Sequence, residues 1–375
     1  MKTDALFEKL AAVGTAFRLP GTLQSYEELK NGNINRTYKL NYIETDKAGI
    51  GTEKSYLAQK INTVAFRDPV GLMENIDRVT AFLRAKRPDA VSLHFHHAAT
   101  GENYLLEPDG FWRLSNYVRS VTFNSGENSR VVRAAGEAFG DFQLLLADFD
   151  AATLHETIPG FHDTRLRYAA LKEAVRADRC GRLAACKAEV EWLLSVEDTA
   201  CTLTDLYRAG KLPLRVTHND TKINNVLFDE ETLRPLVVID LDTVMPGLVG
   251  QDFGDAIRFA ANNADEDCED LAKVSVNPDV FRAFAEGFLS RTAPMLTETE
   301  IETLGVSCFA LTCELSTRFL EDYLNGDLYW KIKCEGHNLV RARAQIALAK
   351  DMQHRLDSMT AACIACAKAY RGELR

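Results

Sequence analysis

The sequence predicts an α+β protein built as a small β-rich lobe followed by a larger helical lobe. Three observations predict it. The first third of the 375 residues carries short runs of alternating apolar and polar residues separated by turn sequences. From about residue 129 the apolar spacing changes to the helical period and stays there. The exception is a compact strand-like block at 214–249, apolar inside and rich in polar residues at its ends. An alternation of period two marks a half-buried strand, and a spacing of three to four marks one face of a helix.

In chain order, residues 1–17 (MKTDALFEKLAAVGTAF) read as a short amphipathic helix with charges throughout, without the long apolar core of a signal peptide. Residues 34–42 (INRTYKLNY) and 55–62 (SYLAQKIN) alternate as strands around a turn at 47–52. A helix follows at 71–85, with Leu72, Ile76, Val79 and Leu83 on one face. Residues 91–98 (VSLHFHHA), 103–108 (NYLLEP) and 111–118 (FWRLSNYV) are three further strand candidates, parted by ATGE and PDG turns. Helices are then expected at 130–148, 165–177, 182–208 with a break, 279–289, 298–325 and 338–370. The lobes divide into 1–118 and 119–375, with a linker near 116–126.

Hydrophobic content of 46% and charged content of 26% are ordinary for a globular chain. A net charge of −10 speaks against a nucleic-acid surface, which carries a basic stripe. No stretch approaches the roughly 20 apolar residues of a membrane span. Nine scattered cysteines form no disulfide framework, which fits a reducing cytoplasm. Cys363 and Cys366 make a lone CxxC in a helical stretch, with no second pair to complete a metal site. The expected state is a monomer or weak homodimer.

The segment 216–242 (VTHNDTKINNVLFDEETLRPLVVIDLD) carries the chemistry. It reads as a loop, a short strand, a turn and a second strand. Both strands are apolar, yet His218, Asp220, Lys222, Asn225, Asp240 and Asp242 gather at their ends. Hard oxygen donors beside a hairpin suit magnesium, which takes one or two carboxylates and leaves its other positions to phosphate oxygens and water. Chance decoration of a hairpin does not supply six residues of these types at this spacing.

His218-Asn219-Asp220-Thr221-Lys222-Ile223-Asn224-Asn225 fits the H-x-D-x-K-x-x-N catalytic loop of kinases. The segment resembles the aminoglycoside phosphotransferase/choline kinase branch of the bilobal protein-kinase-like fold. HNDTKINNVLFD and VVIDLDTVMPG are similar to stretches of N-acetylhexosamine 1-kinases, as are NGNINRTY near the start and RFLEDYLNGDLYW near the end. The resemblance implies an enzyme using ATP and Mg2+ on a small-molecule hydroxyl, an amino sugar first among the acceptors. It implies Asp220 as the base that accepts or orients the acceptor proton, and Lys222 as positive charge near the transferring phosphoryl. It implies Asn225 and Asp240 as metal ligands, with Asp242 a further participant and His218 a support of the loop.

On the nucleotide side, the resemblance makes Asn31 and Gly32 part of a phosphate-covering lid, although Asn-Gly alone is commonly just a turn. The third-strand lysine of kinases falls at either Gln59 or Lys60. Glu74 and Asp77 are candidate acidic partners on the next helix, though such residues are mostly solvated helix charges. Asn116, Tyr117 and Val118, at the end of 113–118, are the expected hinge against adenine. Asp252-Phe253-Gly254 reads as DFG but falls twelve residues after Asp240, so it is expected to open a helix, with Asp252 a cap or part of a hydrogen-bond network.

On the acceptor side, Arg318 is expected to meet sugar hydroxyls. Its bland alternative is an i,i+4 surface bridge to Asp322. Tyr323, Tyr329 and Trp330 are candidates for a stacking wall, against the commoner fate of core packing. Asn33 is a candidate sugar contact from the lid. His94, His96 and His97 read as a histidine-bearing surface strand rather than a metal site, and no mechanism attaches to His155 or His162. The competing readings are a kinase of another small alcohol (an aminoglycoside, choline, homoserine or a thiosugar) and an inactive nucleotide-binding relative. A P-loop NTPase is disfavoured because no G-x-x-x-x-G-K-[ST] occurs.

Overall fold

Period-two burial shapes the first third. In the strand Arg36–Thr45, Tyr38, Leu40 and Tyr42 point inward and alternate with less buried neighbours. The computed structural model describes residues 4–372 apart from 30–33, 46–48, 125 and 127. The chain divides into two compact units. One comprises Met1–Ser120, His155–Ile158 and Leu241–Thr243; the other comprises Val121–Leu154, Pro159–Asp240 and Val244–Arg375.

The first unit begins with helix α1 (Ala5–Ala16), capped by Asp4. Strands β1 (Thr22–Leu29), β2 (Arg36–Thr45) and β3 (Gly51–Ile61) follow, then helix α2 (Pro69–Lys86), β4 (Leu105–Glu107) and β5 (Gly110–Asn116). The five strands form one antiparallel sheet in the order β1-β2-β3-β5-β4. Leu10, Val13 and Phe17 of the α1 region pack on Tyr38, Leu40, Tyr56, Trp112 and Leu114 of the sheet. Asp68 caps α2 by accepting the Gly71 N–H, and Pro69 starts the helix at a position whose N–H has no helical partner.

One strand escapes the sequence reading and one expected strand is absent. β1 escapes a period-two reading because its register slips between Leu23 and Ser25, where a bulge breaks the alternation on an edge strand. Residues 91–98 are not a strand. Only Phe95 bridges Ser115, and the side-chain oxygen of Asn116 takes the His94 N–H that a ladder would have used.

The second unit is mainly helical: α3 (Ser129–Leu145), α4 (Thr164–Ala177), α5 (Lys187–Ser195), α6 (Glu197–Ala200) and α7 (Thr202–Arg208). The single broken helix expected at 182–208 is thus three short ones after a 3-10 turn. Strands β6 (Arg215–Thr217), β7 (Val226–Phe228), β8 (Pro235–Val238) and β9 (Met245–Gly247) pair as β6 with β9 and β7 with β8. Helices α8 (Val249–Ala260), α9 (Pro278–Thr292), α10 (Glu298–Asn325) and α11 (His337–Arg371) complete it.

α3 lies along α9 at backbone contact distance. A Cβ on Gly136 would sit 2.5 Å from the Phe284 carbonyl oxygen, and one on Gly287 would sit 2.1 Å from that of Arg133. α10 packs on α4, α8 and α11. It opens with a capping box between Thr297 and Glu300 and ends at Gly326 in the left-handed conformation. Among the described residues no helix is long and apolar enough to cross a membrane, and all nine cysteines are free thiols.

Candidate active site

In the second unit, β6 delivers the chain into the loop 218–225, and two carboxylates of α8 hold that loop by its backbone. Asp252 accepts the N–H of His218 at 2.9 Å and of Asn219 at 2.7 Å, and the Gln143 side chain at 2.6 Å. Asp255, one turn on, accepts the Thr221 N–H at 2.9 Å and pairs with Arg258 at 2.7 Å. Burial pushes the Asp252 carboxyl above its usual pKa, with His218 and the loop N–H groups pulling the other way. For Asp255 burial acts in the same upward sense and is the largest single influence, but the charge and hydrogen bond of Arg258, with Lys222 and His162, together outweigh it and lower the pKa. Asp252 therefore belongs to the hydrogen-bond network that shapes the loop.

Asp220 lies at the centre of this loop. Lys222 Nζ is 3.0 Å from its Oδ1. Asn225 Nδ2 donates to the Asp220 carbonyl at 2.8 Å and to its Oδ2 at 3.2 Å. Burial works against the Lys222 ammonium, but the carboxylates of Asp220, Asp255 and Asp240 outweigh it and raise its pKa. With the Asn225 amide held by its nitrogen, its carbonyl oxygen is the atom left for a cation.

The β7–β8 hairpin sets Val226 opposite Val238 and lets the Ile239 N–H donate to the Asn225 carbonyl at 2.8 Å. Asp240 follows at φ +61°, and Asn219 stands at φ +62°. Two non-glycine residues held in left-handed backbone at one loop cluster carry strain that the surrounding hydrogen bonds support. Asn225 and Asp240, an amide oxygen and a carboxylate at adjoining ends of one hairpin, fit the donor set of magnesium. Among the described residues no group of three or more His, Cys, Asp or Glu could hold a metal, so the histidine-rich 94–97 segment assembles no such site.

In the first unit, Gln59 stands opposite Thr37 on β2 and Arg113 on β5. Its amide nitrogen donates to Thr37 Oγ1 at 3.0 Å, and its oxygen accepts from Arg113 Nε at 2.9 Å. The Arg113 guanidinium is ion-paired with Asp242, both side chains being at most 3% exposed. Asn35 Nδ2 donates to the other Asp242 oxygen at 2.6 Å.

Lys60 points to the opposite face, with Nζ 3.5 Å from Asp109 and 5.7 Å above Trp112. The candidate acidic partners on α2 are engaged elsewhere: Glu74 with His155 at 2.6 Å and Asp77 with His97 at 3.5 Å. Asp242 is thus the acidic partner in this sheet, and its cation comes from β5. Sequence reasoning missed Arg113 in this role. The signal was the cross-strand register, which no local motif encodes. Asn116 is tied by its backbone N–H to the His94 carbonyl, and the Tyr117 N–H donates to Ser55 at 3.3 Å. Lys39 Nζ lies 4.3 Å from the Tyr117 ring, and the Val118 carbonyl accepts from Ser120. Asn31, Gly32 and Asn33 lie outside the described residues.

On α10, Arg318 is flanked by the rings of Phe161 and Trp330, each 5.2 Å away. No hydrogen bond or ion pair holds its guanidinium among the described residues. Burial and the neighbouring Arg167 lower its pKa, although Glu314 pulls the other way. The i,i+4 bridge to Asp322 does not form. Asp322 instead accepts the N–H groups of Leu328, Tyr329 and Trp330 at 2.8–3.0 Å and so holds the turn that presents Trp330. Tyr323 does not join Arg318. Five residues along the helix puts it on another face, where it is buried with Arg182 over its ring at 4.9 Å. Tyr329 is exposed and meets Trp330 edge-on.

Several solved structures share this fold. The microcompartment-associated aminopropanol kinase aligns over 94% of this chain and 98% of its own, with TM-score 0.61 and 14% identity. Choline kinase from Cryptosporidium parvum Iowa II covers 90% and 91%, with TM-score 0.57 and 13% identity. Spectinomycin phosphotransferase, solved with ADP and spectinomycin, covers 93% and 98%, with TM-score 0.55 and 12% identity. Residues 25–284, well over half of the sequence, match the profile of the phosphotransferase enzyme family, and the chain accordingly belongs to that family.

Proposed function

We propose that this phosphotransferase is an ATP- and magnesium-dependent kinase acting on the anomeric hydroxyl of N-acetylglucosamine or N-acetylgalactosamine, with a sugar 1-phosphate and ADP as products. The observation that carries the kinase chemistry is Asp220, part-exposed and held between Lys222 and Asn225 on a loop pinned by Asp252 and Asp255. Asp220 takes the proton of the acceptor hydroxyl as that oxygen bonds to the γ-phosphorus and the bond to the departing ADP oxygen breaks. Lys222 orients Asp220 and places positive charge near the transferring group. Asn225 and Asp240 would hold magnesium, which when bound neutralises phosphate charge. An anomeric hydroxyl is more acidic than an ordinary alcohol, which eases the task of the base. ADP in the solved spectinomycin phosphotransferase supports the nucleotide assignment. In the first unit we assign Gln59 to the nucleotide in preference to Lys60, whose ammonium is occupied by Asp109. Asn116, Tyr117 and Val118 are assigned to the adenine.

Arg318 supports a neutral, hydroxyl-rich acceptor. A guanidinium with no carboxylate partner, between two aromatic rings, repels a cation and offers donors to hydroxyl or carbonyl oxygens. That weighs against choline, ethanolamine and aminoglycosides, although the solved structures named above include kinases of such alcohols. ADP release with magnesium-ATP, measured on N-acetylglucosamine, N-acetylgalactosamine, glucose, choline, homoserine and kanamycin, tests both parts. Turnover on the acetylated sugars, with phosphate at the anomeric carbon, is expected. Turnover confined to a cationic alcohol would remove the sugar assignment, and no turnover with any acceptor would remove the kinase assignment.

A further inference from the structure

His162 lies in the loop before α4, in the second unit. Its side chain is 8% exposed and that of Glu314 is 2% exposed. Nδ1 is 2.7 Å from Glu314 Oε1, and Nε2 is 3.3 Å from the Asn219 carbonyl oxygen. Glu314 also accepts from Thr164 Oγ1 at 2.9 Å, and Gln251 of α8 donates to the His162 carbonyl at 3.0 Å. Both ring nitrogens therefore face acceptors, one a carboxylate and one a carbonyl. A neutral imidazole has a single N–H and satisfies only one of them; the imidazolium satisfies both.

The carbonyl in question belongs to the peptide that joins Asn219 to Asp220. The amide end of the same peptide donates to His218 Nδ1 at 3.3 Å, while His218 Nε2 donates to the Ile239 carbonyl at 2.8 Å. One peptide plane is thus gripped at its oxygen by His162 and at its nitrogen by His218. We propose that His162 is a positioning residue, held as an imidazolium by Glu314, that locks the Asn219–Asp220 peptide and so aims the Asp220 carboxylate. This inference rests on Asp220 being the base.

The charges around the ring agree with it. Burial opposes the imidazolium, but the Glu314 carboxylate on α10 outweighs it and Asp255 on α8 adds to the effect, so the His162 pKa rises above its ordinary value. Arg318, one turn beyond Glu314 on α10, pushes the other way. Arg167 on α4 and His162 both hold the Glu314 carboxyl low, against its burial. Loss of the His162 proton turns a lone pair toward the Asn219 oxygen and removes the hold of His162 on the peptide. Because Glu314 and Arg318 share one face of α10, the same pair also ties the acceptor-side helix to the loop that carries the base.

The test combines a spectrum and a kinetic profile on the full chain. With 15N-labelled histidine, resonances assigned by elimination among the eight histidines, His162 is expected to keep two protonated ring nitrogens at pH values above the ordinary imidazole pKa, where an unperturbed ring has become neutral. His162→Gln is expected to lower kcat about tenfold, with both KM values within about twofold, because only the aim of the base changes. The wild type is expected to show an alkaline fall in kcat, and that fall is expected to be absent from the variant.

Glu314→Gln keeps the acceptor and removes the charge, so the alkaline fall should move to lower pH. A neutral His162 at about pH 7, or a pH profile of Glu314→Gln identical to the wild type, overturns the proposal. So does an unchanged kcat in His162→Gln. Should His162→Gln fail to fold, the wild-type spectrum and Glu314→Gln still decide. Asp220→Asn separates the two readings. Turnover retained there removes the base, and with it this role, whereas turnover lost there with unchanged Glu314→Gln kinetics removes only His162.

Discussion

The loop around Asp220 and the side-chain cluster around Gln59 on the sheet reach comparable order by different routes. In the second unit, His218, Asn219 and Thr221 give their backbone N–H groups to Asp252 and Asp255, two carboxylates one helical turn apart. In the first unit, Gln59, Arg113 and Asp242 come from β3, β5 and a short turn, and their contacts are side chain to side chain. The first arrangement fixes a backbone and leaves Asp220 part-exposed. The second buries a charge pair completely. The loop leaves its central carboxylate accessible, whereas the sheet cluster hides its charges.

The largest expected effect separates function from framework in the loop. Asp220→Asn should lower turnover by about a thousandfold or more, since general-base assistance and orientation are both lost. ADP affinity by calorimetry should stay within about threefold, because Asp220 is assigned to the acceptor and not to the nucleotide. Near-normal turnover would exclude Asp220 as the base.

The next effect addresses the buried pair. Arg113→Met leaves the Asp242 carboxylate without its cation and should cost about 3 kcal/mol of stability in a urea melt. Arg113→Met with Asp242→Asn should recover part of that loss, since the charge left stranded is then gone. Additive losses would mean that the two residues act independently. Asp252→Asn makes the matching test in the loop. It should cost about 2 kcal/mol by leaving a loop N–H facing an amide donor, and it should also lower kcat, which Arg113→Met tests for the sheet cluster.

A pH comparison comes third. The His162 pKa is raised in the folded chain relative to its unfolded value of 6.5. Its contribution to stability is therefore fully present below the unfolded pKa and is lost as pH rises through the folded one. The stability gap between wild type and His162→Gln, from urea melts across that window, should narrow as pH rises. A gap that widens contradicts the imidazolium.

The smallest effect concerns Lys60. Its ammonium sits on Asp109 at a part-exposed edge, so Lys60→Ala should change stability by no more than about 0.5 kcal/mol and leave the ATP KM within about twofold. A large rise in that KM would bring Lys60 back as the phosphate-side cation.

Local spacing made much of this legible. The kinase-like loop, its hairpin and the pair proposed to hold magnesium lie within 27 consecutive residues, where the H-x-D-x-K-x-x-N order and two apolar runs leave few alternatives. The long helices were legible from their periodicity, and α10 runs over the expected residues 298–325. The DFG of 252–254 reads as opening a helix with Asp252 in a hydrogen-bond network, and it lies in α8 with Asp252 accepting the loop N–H groups. β1 was not legible, since its bulge destroys the alternation. Nor was the loss of the 91–98 strand, since one asparagine side chain replaces a ladder bond.

By itself the sequence determined the class of fold, the loop proposed to be catalytic and the identity of the groups there whose chemistry suits taking a proton or binding a hard cation. These depend on contacts between residues close in the chain, so spacing encodes them. Only the tertiary structure decided which of Gln59 and Lys60 faces Arg113, that Asp242 pairs with Arg113 rather than standing free, and that Tyr323 packs away from Arg318. It also decided that His162 meets the peptide of Asp220. Each of these depends on strand register, on helix rotation or on a contact between residues 57 or more positions apart, and no local pattern specifies which side chains such distant segments bring together.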